Sequence, residues 1–145
     1  MIGSDTLQHG FVPPQVDPDS HAWWAALGEH RLLLPHCHDC GLTWFPPTPG
    51  CPRCASTGVR LVEASGRGRV YSWVVVNRAL NPAFAGDAPY VILTVDLDEG
   101  ARIFGRLAAP ADDPRLAAGA AVGVQIHEVQ GQALIGFVFS DHASV

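Results

Sequence analysis

The chain contains no lysine: its nine basic residues are all arginine, against fourteen acidic residues, and its net charge is −5. A protein that binds nucleic acid mainly by neutralising phosphates needs a basic face. The missing positive field therefore argues against a nucleic-acid binder. The arginines nevertheless cluster, with Arg67, Arg69 and Arg78 on one stretch and Arg102 and Arg106 on another. This clustering leaves room for a local patch that binds one small anionic ligand.

Long apolar runs are also missing. No stretch approaches the ~20 apolar residues needed to cross a bilayer. Residues 1–14 have neither the basic start nor the apolar stretch of a secretory signal. With 48% hydrophobic and 16% charged residues, the chain is expected to be a packed globular protein with no membrane partner. Residues 1–16 are polar and aperiodic, which predicts an extended arm; a disordered terminus and an arm lying on a partner both stay open.

Cysteine is absent except in one stretch, where Cys37 and Cys40 form one C-x-x-C pair and Cys51 and Cys54 form another. A pair at this spacing can turn so that both sulfurs point at one centre. Two pairs then make the tetrahedral sulfur cage of a structural zinc site. Two disulfides or unligated thiols are the alternatives, but two such pairs with no other cysteine suit a metal better. The spacing predicts a zinc ribbon with four cysteine ligands and, because the thiols are reduced, a cytoplasmic location.

The segments around the cysteines complete the predicted ribbon. A strand is expected at 31–35, a short apolar strand at 42–47 between the pairs, and a further strand at 59–64. His36 and His38 flank Cys37 and are interpreted as exposed ribbon residues, since four thiolates already fill a tetrahedral site.

A short helix is predicted before the ribbon. Asp17 or Ser20 can accept hydrogen bonds from its first-turn amides, and Trp23, Trp24 and Leu27 form its apolar face. Two adjacent tryptophans on so short a helix have two interpretations. Either both are core residues, or one belongs to a protein interface, where tryptophan is enriched.

β-Branched and aromatic residues dominate the second half of the chain and predict five strands. They are expected at 70–78, 89–97, 102–107, 121–129 and 134–139. Five strands with one longer connection between the third and the fourth favour an OB-fold barrel, with an open sandwich sheet as the alternative. The predicted fold is mainly β: an N-terminal helix and a four-cysteine zinc ribbon, followed by a five-stranded antiparallel OB-fold barrel.

The order of these parts resembles the DUF35 family, a rubredoxin-like zinc ribbon joined to an acyl-CoA-associated OB-fold. The resemblance covers residues 19–140. Its motifs are Trp44-Phe45-Pro46-Pro47, Gly66-Arg67-Gly68-Arg69, Pro89-Tyr90-Val91-Ile92 and Leu97-Asp98-Glu99-Gly100. The chain is accordingly divided into an arm (1–16), a helix plus ribbon (17–62), an OB-fold (63–140) and a tail (141–145).

The resemblance implies an accessory protein of thiolase-fold enzymes that act on acyl-CoA, such as acetyltransferases and the retro-aldolases of steroid side-chain degradation. The thiolase-like, or lipid-transfer-protein-like, partner would carry the chemistry in a hetero-oligomer. One departure concerns the metal: the second cysteine pair is followed by Ala55, where the family commonly has glycine, and this weakens the case for iron in place of structural zinc.

The phosphates of CoA suit bidentate arginine contacts, and aromatic residues could cover the adenine or the acyl chain. The candidate acyl-CoA ligands are Arg67, Arg69, Arg78, Phe84, Tyr90 and Arg106. These arginines could instead be solubilising or contact an acidic partner surface. The candidate partner-interface residues are Trp23, Trp24 and Phe84.

No convincing catalytic set is found. Ser140, Asp141 and His142 are consecutive in a tail, whereas a triad is assembled in space by a rigid scaffold. Asp96 and Asp98 flank a hairpin turn and are interpreted as solvated, and His127 as a structural histidine.

Three functions are compared. The leading hypothesis is a non-catalytic subunit that completes or stabilises an acyl-CoA enzyme. The second is a nucleic-acid-binding ribbon and OB protein, which the acidic balance disfavours. The third is a rubredoxin-like electron carrier, which iron in the cysteine cluster would support.

Overall fold

Residues 10–140 are described by a computed structural model, and they form one helix, seven strands and one 3₁₀ segment. The predicted tail and the first nine residues of the predicted arm lie outside this range. The elements are α1 (His21–Gly28), β1 (Leu33–Cys37), β2 (Val59–Glu63), β3 (Arg67–Val76), the 3₁₀ segment Pro82–Asp87, β4 (Tyr90–Leu97), β5 (Arg102–Leu107), β6 (Ala121–Val129) and β7 (Gln132–Phe139). Within the described residues, no helix combines the length and the apolar character that a membrane span requires.

The ribbon and the barrel are separate sheets. β1 and β2 form an antiparallel pair in which Leu33 lies opposite Glu63 and Cys37 opposite Val59. The predicted strand between the cysteine pairs is reduced to one bridge, from Thr43 to His36, because turns and prolines occupy the rest of that segment.

The other five strands close into a barrel in the order β3-β4-β5-β7-β6, which confirms the predicted closed architecture. The expectation of a purely antiparallel barrel is wrong, because β5 and β7 are parallel, with Arg106 opposite Gly136 and Leu107 opposite Phe137. The reason is topological: a closed ring with an odd number of strands cannot alternate direction at every neighbour.

The first barrel strand begins three residues before its predicted start. Arg67, Gly68 and Arg69 pair with β6 on one side, and Gly68 and Arg69 also pair with β4 on the other. A register shift between Val70 and Ser72 marks a bulge, beyond which β3 continues along β4 alone to Val76. Among the described residues, β3 therefore has neighbouring strands on both sides over Arg67–Arg69 and only β4, on one side, from Ser72 to Val76.

One apolar core runs through the helix, the ribbon and the barrel. Leu27 and Leu34 are fully buried and belong to the same cluster as Val91 and Phe137 of the barrel. The helix α1 packs against both β1 and β7. Because this core is continuous, it does not mark a boundary between two domains. The predicted domain boundary near residue 62 therefore stays a prediction.

Barrel closure yields a direct stability prediction. A Cβ atom added at Gly68 would lie 2.5 Å from the Asp96 carbonyl oxygen and 2.8 Å from the Val95 side chain. Gly68→Ala is therefore expected to destabilise the fold by about 1–3 kcal/mol. Gly123→Ala is the matched control, because nothing lies within 4 Å of the added atom, and it should be neutral or stabilising by up to about 1 kcal/mol. Urea unfolding of both variants measures the difference, and equal stabilities would contradict the closure at Gly68.

Candidate metal centre and ligand surface

The four cysteines lie together at the end of β1. Their Sγ atoms are all within 4.8 Å of one another, with 3.6 Å between Cys37 and Cys54 and 3.5 Å between Cys40 and Cys51. A disulfide would need about 2.05 Å, whereas Zn–S bonds of about 2.3 Å in a tetrahedron place sulfurs about 3.8 Å apart. The donor set and its spacing therefore fit a tetrahedral metal ion.

Each cysteine pair is a turn whose amides approach sulfur. The amide of Cys40 donates to Cys37 Sγ and that of Arg53 to Cys51 Sγ, both at 3.4 Å. The turns end in left-handed residues, Gly41 at φ 77° and Ala55 at φ 62°. Ala55 adopts a backbone conformation that favours glycine, so it keeps the turn geometry despite its side chain.

The pKa values of the cysteine thiols also favour binding of a cation. Hydrogen bonding from the Cys40 amide lowers the pKa of Cys37. Burial raises the pKa of Cys51, but the amides of Cys54 and Arg53 and the neighbouring thiols bring it down to about 7. At Cys54 the Ser56 amide lowers the pKa, yet burial and the other thiols raise it to about 12. Ionisation of all four thiols is therefore unfavourable without a metal, so metal binding releases protons and strengthens as pH rises.

The ribbon has a small core of its own. Trp44 is 7% exposed and packs with Cys37 and Cys51, while its indole nitrogen donates to the Thr48 hydroxyl at 3.1 Å. The flanking histidines stand apart from the sulfur cluster: His36 Nδ1 lies 2.9 Å from the Thr43 hydroxyl. His38 is exposed.

The structure separates the two adjacent tryptophans. Trp23 is 4% exposed and belongs to the main core, in contact with Phe45 at 5.3 Å and edge-on to Trp24 at 4.7 Å between ring centroids. Trp23 presents almost no surface in this chain, and its role in a partner interface stays a prediction. Trp24 is half-buried against the same core, and its role in a partner interface stays a prediction.

Three of the six predicted acyl-CoA residues, Phe84, Tyr90 and Arg106, meet at one end of the barrel, where Val76 pairs with Tyr90. Arg106 Nη1 contacts Asp87 Oδ2 at 3.2 Å, and only 15% of its side chain is exposed. Its guanidinium carbon stacks 3.8 Å from the Tyr90 ring centroid and 5.9 Å from that of Phe84. This guanidinium is therefore used to hold the 3₁₀ segment against the barrel.

The N-terminal arm joins the same cluster. The Gly10 amide donates to Asp87 Oδ2 at 2.6 Å. A Cβ atom at this position would overlap the Ala83 carbonyl, so only glycine allows the approach. The sequence did not predict this contact, because two residues that are 77 positions apart leave no pattern in the spacing.

The remaining arginines are distributed over the barrel. Arg67 contacts Asp98 at 3.5 Å, and Arg69 donates to the Gly119 carbonyl at 3.0 Å; both lie at the start of β3. Arg78 lies beyond the other end of β3, and no described residue forms an ion pair with it. The six candidates therefore form two groups, one near each end of the ten-residue strand β3.

Asp96 and Glu99, near the turn between β4 and β5, are held by contacts within the fold, and His127 lies in the barrel wall. Asp96 binds the Arg102 guanidinium at 2.6 and 3.1 Å, and Glu99 accepts from the Ser65 amide at 2.8 Å. His127 is 8% exposed, within the barrel wall. The consecutive Ser140, Asp141 and His142 fall mostly outside the described residues.

Comparison with known proteins agrees with this architecture. Residues 24–60 match the family model of the ChsH2 rubredoxin-like zinc ribbon domain, and residues 61–127 match that of the ChsH2 C-terminal OB-fold domain. A chain of the solved Ltp2-ChsH2(DUF35) aldolase superposes with a TM-score of 0.77 and 34% identity, covering 88% of this chain and 98% of that one. The chain belongs to the DUF35 family. A Sulfolobus solfataricus DUF35 structure, 13% identical with a TM-score of 0.62, shows the same fold.

Curated relatives of this DUF35 chain include longer proteins that are named as enzyme subunits. It is 38% identical over 69% of its length to a probable enoyl-CoA hydratase alpha subunit of Thermomonospora curvata. It is 33% identical over 81% of its length to the 3-oxo-4,17-pregnadiene-20-carboxyl-CoA hydratase alpha subunit of Mycobacterium tuberculosis. It spans only 31% and 37% of those proteins. A Methanocaldococcus jannaschii DUF35 domain-containing scaffold protein is 38% identical over 58% of this chain, which spans 60% of it.

The Arg106 cluster of this DUF35 chain can be tested by stability. Arg106→Met leaves the mostly buried Asp87 carboxylate with the Gly10 amide as its remaining partner among the described residues. A loss of about 1–3 kcal/mol is expected. Arg102→Met is the matched control, because Arg102 is half-exposed in its pair with Asp96, and such surface pairs contribute little. Thermal unfolding of both variants measures this, and equal melting temperatures would contradict the structural role of Arg106.

Proposed function

We propose that this DUF35 chain is a non-catalytic scaffold subunit of an acyl-CoA enzyme. It would dock on a thiolase-fold, Ltp2-type subunit in a hetero-oligomer and complete or stabilise the acyl-CoA site of a retro-aldolase. The observation that carries the proposal is the extent of one match: this chain covers 98% of the chain from the Ltp2-ChsH2(DUF35) aldolase. It covers about a third of the hydratase alpha subunits, which supports the scaffold function over the hydratase function.

The metal centre supports the same function. Four thiolates saturate a tetrahedral ion and leave no open position for substrate. Zinc would hold the ribbon, whose own buried core consists of Cys37, Trp44 and Cys51. α1 contacts both sheets, so a folded ribbon and the barrel would present one rigid surface to a partner. A cytoplasmic location, where thiols stay reduced, is part of the proposal.

The acyl-CoA chemistry would lie in the enzyme subunit. Contact of CoA with Arg67, Arg69, Arg78, Phe84, Tyr90 or Arg106 stays a prediction. For Arg106 such contact would require exchange of an ion pair in which both side chains are less than a fifth exposed. The retro-aldol substrate would be a β-hydroxyacyl thioester, which is the product class of enoyl-CoA hydration. The hydratase names of two relatives are consistent with that order of reactions.

Co-expression with the Ltp2-type subunit of the same organism tests the proposal. We expect a stable hetero-oligomer by size-exclusion chromatography with light scattering, containing zinc and no iron-type visible absorption. Two separate peaks at micromolar concentration would contradict the scaffold function. A salt-dependent shift of single-stranded nucleic acid by the chain alone would favour the nucleic-acid alternative.

A further inference from the structure

The second half of β3 has an open edge. One side of residues 72–76 pairs with β4, from Ser72 opposite Thr94 to Val76 opposite Tyr90. On the other side, pairing with β6 covers Arg67–Arg69, and the last backbone bonds on that side join Val70 to Gly119 and Ala120. Among residues 10–140, no further backbone hydrogen bond reaches 71–76 from that side. Backbone donors and acceptors on this edge therefore face outward, ready to pair with a strand.

The side chains of this edge are apolar and exposed. Tyr71 is 55% exposed, Trp73 37% and Val74 58%. Natural edges are usually protected by lysine, proline or inward-pointing charges. The chain has no lysine, and residues 71–76 contain neither proline nor a charged residue. The bulge lies at the boundary with the closed part of the barrel and leaves Ser72–Val76 regularly paired with β4, so nothing within the edge prevents addition of a strand.

One aromatic side chain beside the edge is held in place. The Arg102 guanidinium stacks 3.5 Å from the Tyr71 ring centroid and is itself fixed by two hydrogen bonds to Asp96. Phe104, 56% exposed, lies opposite Thr94 on the neighbouring strand. A preorganised aromatic next to unpaired backbone is typical of an interface anchor.

We propose that residues 71–76 are a strand-addition edge for an extended segment of the enzyme subunit, a proposal that rests on the function proposed above. The occupant is a β-strand with apolar side chains beside Tyr71 and Val74 and a carboxylate near Arg78. Backbone pairing would supply affinity and the side chains specificity. The carboxylate follows from charge: Arg78 has no ion-pair partner among residues 10–140, and residues 70–78 contain no acidic residue.

A second copy of the chain fits this edge poorly. Antiparallel self-pairing with Tyr71 opposite Val76 would direct Arg78 of each copy towards Arg69 of the other, where β6 already pairs with that side of β3. Like charges directly opposite one another destabilise a strand pair. The added strand is therefore assigned to a different protein.

Amide hydrogen exchange of the free chain and of its complex with the Ltp2-type subunit tests the edge directly. Among residues 71–76, we expect fast exchange in the free chain at the amides that point away from β4. Exchange at these outward-facing amides should be at least about tenfold slower in the complex, with β6 unchanged. Val74→Lys should weaken the complex at least about tenfold without lowering the melting temperature. Ala118→Lys, which places a lysine at an exposed position of the connection between β5 and β6, should leave affinity within about twofold.

The outcomes separate this inference from the function proposed above. A complex that forms while exchange within 71–76 stays fast overturns the edge and leaves the scaffold function standing. Outward-facing amides of 71–76 that are already protected in a free monomer, or protected in a homodimer seen by light scattering, also overturn it. Failure to form any complex with the Ltp2-type subunit overturns both proposals.

Discussion

Cys37→Ser is expected to release the metal and unfold the ribbon. Cys37 is fully buried at the centre of the sulfur cluster, and three thiolates do not close a tetrahedral structural site. Structural zinc contributes binding free energy on the order of 10 kcal/mol to a small domain, comparable with the whole stability of many domains. Metal content should fall from about one ion per chain to near none, with loss of docking to the enzyme subunit.

The neighbouring His38→Ser variant controls for this effect. His38 is exposed, and its side chain is outside the sulfur cluster, so metal content, tryptophan fluorescence and docking should stay as in the unmodified chain. Elemental analysis and fluorescence measure both variants. A Cys37→Ser protein that keeps its metal and forms a fully active complex would contradict the scaffold role of the ribbon.

Phe137→Ala is expected to cost about 3–5 kcal/mol of folding free energy. Phe137 is fully buried on β7, at the parallel contact with β5 that closes the barrel. Its ring lies against Gly105, where an added Cβ atom would come within 2.8 Å. Truncation would therefore leave a cavity between strands that share only two paired positions. Urea unfolding with metal bound and an unchanged m-value measures the loss.

Phe104→Ala is the matched control, since Phe104 lies on the outer face of β5 and is 56% exposed. Its stability should change by less than about 0.5 kcal/mol. If both variants were equally stable, Phe137 would not be a core residue and the parallel closure would be wrong.

The sequence predicted the metal centre well because its information is local. Cys37 and Cys40, like Cys51 and Cys54, are three residues apart, and ligand chemistry fixes what that spacing can do. The five barrel strands were also found, since alternating β-branched residues mark them. The antiparallel expectation failed at β5 and β7 because strand order is a property of the closed ring and not of any one segment.

Side-chain partners over long separations could not be predicted. Arg106 has the chemistry of a phosphate ligand, but Asp87 and Tyr90 surround its guanidinium once the 3₁₀ segment folds back. Trp23 is of a residue type that is enriched at protein interfaces. Its side chain is buried in this chain, because α1 packs against both β1 and β7. In both cases the residue type indicated an interaction, and tertiary packing selected an internal partner.

Turnover of a β-hydroxyacyl-CoA thioester tests the scaffold function most directly. The test compound is the hydrated form of 3-oxo-4,17-pregnadiene-20-carboxyl-CoA, the compound in the name of one relative. This chain alone, the Ltp2-type subunit alone and their complex are assayed side by side for carbon–carbon cleavage. We predict no turnover by this chain alone and full turnover by the complex. Turnover by this chain alone, or equal turnover by the enzyme subunit with and without it, would contradict the account.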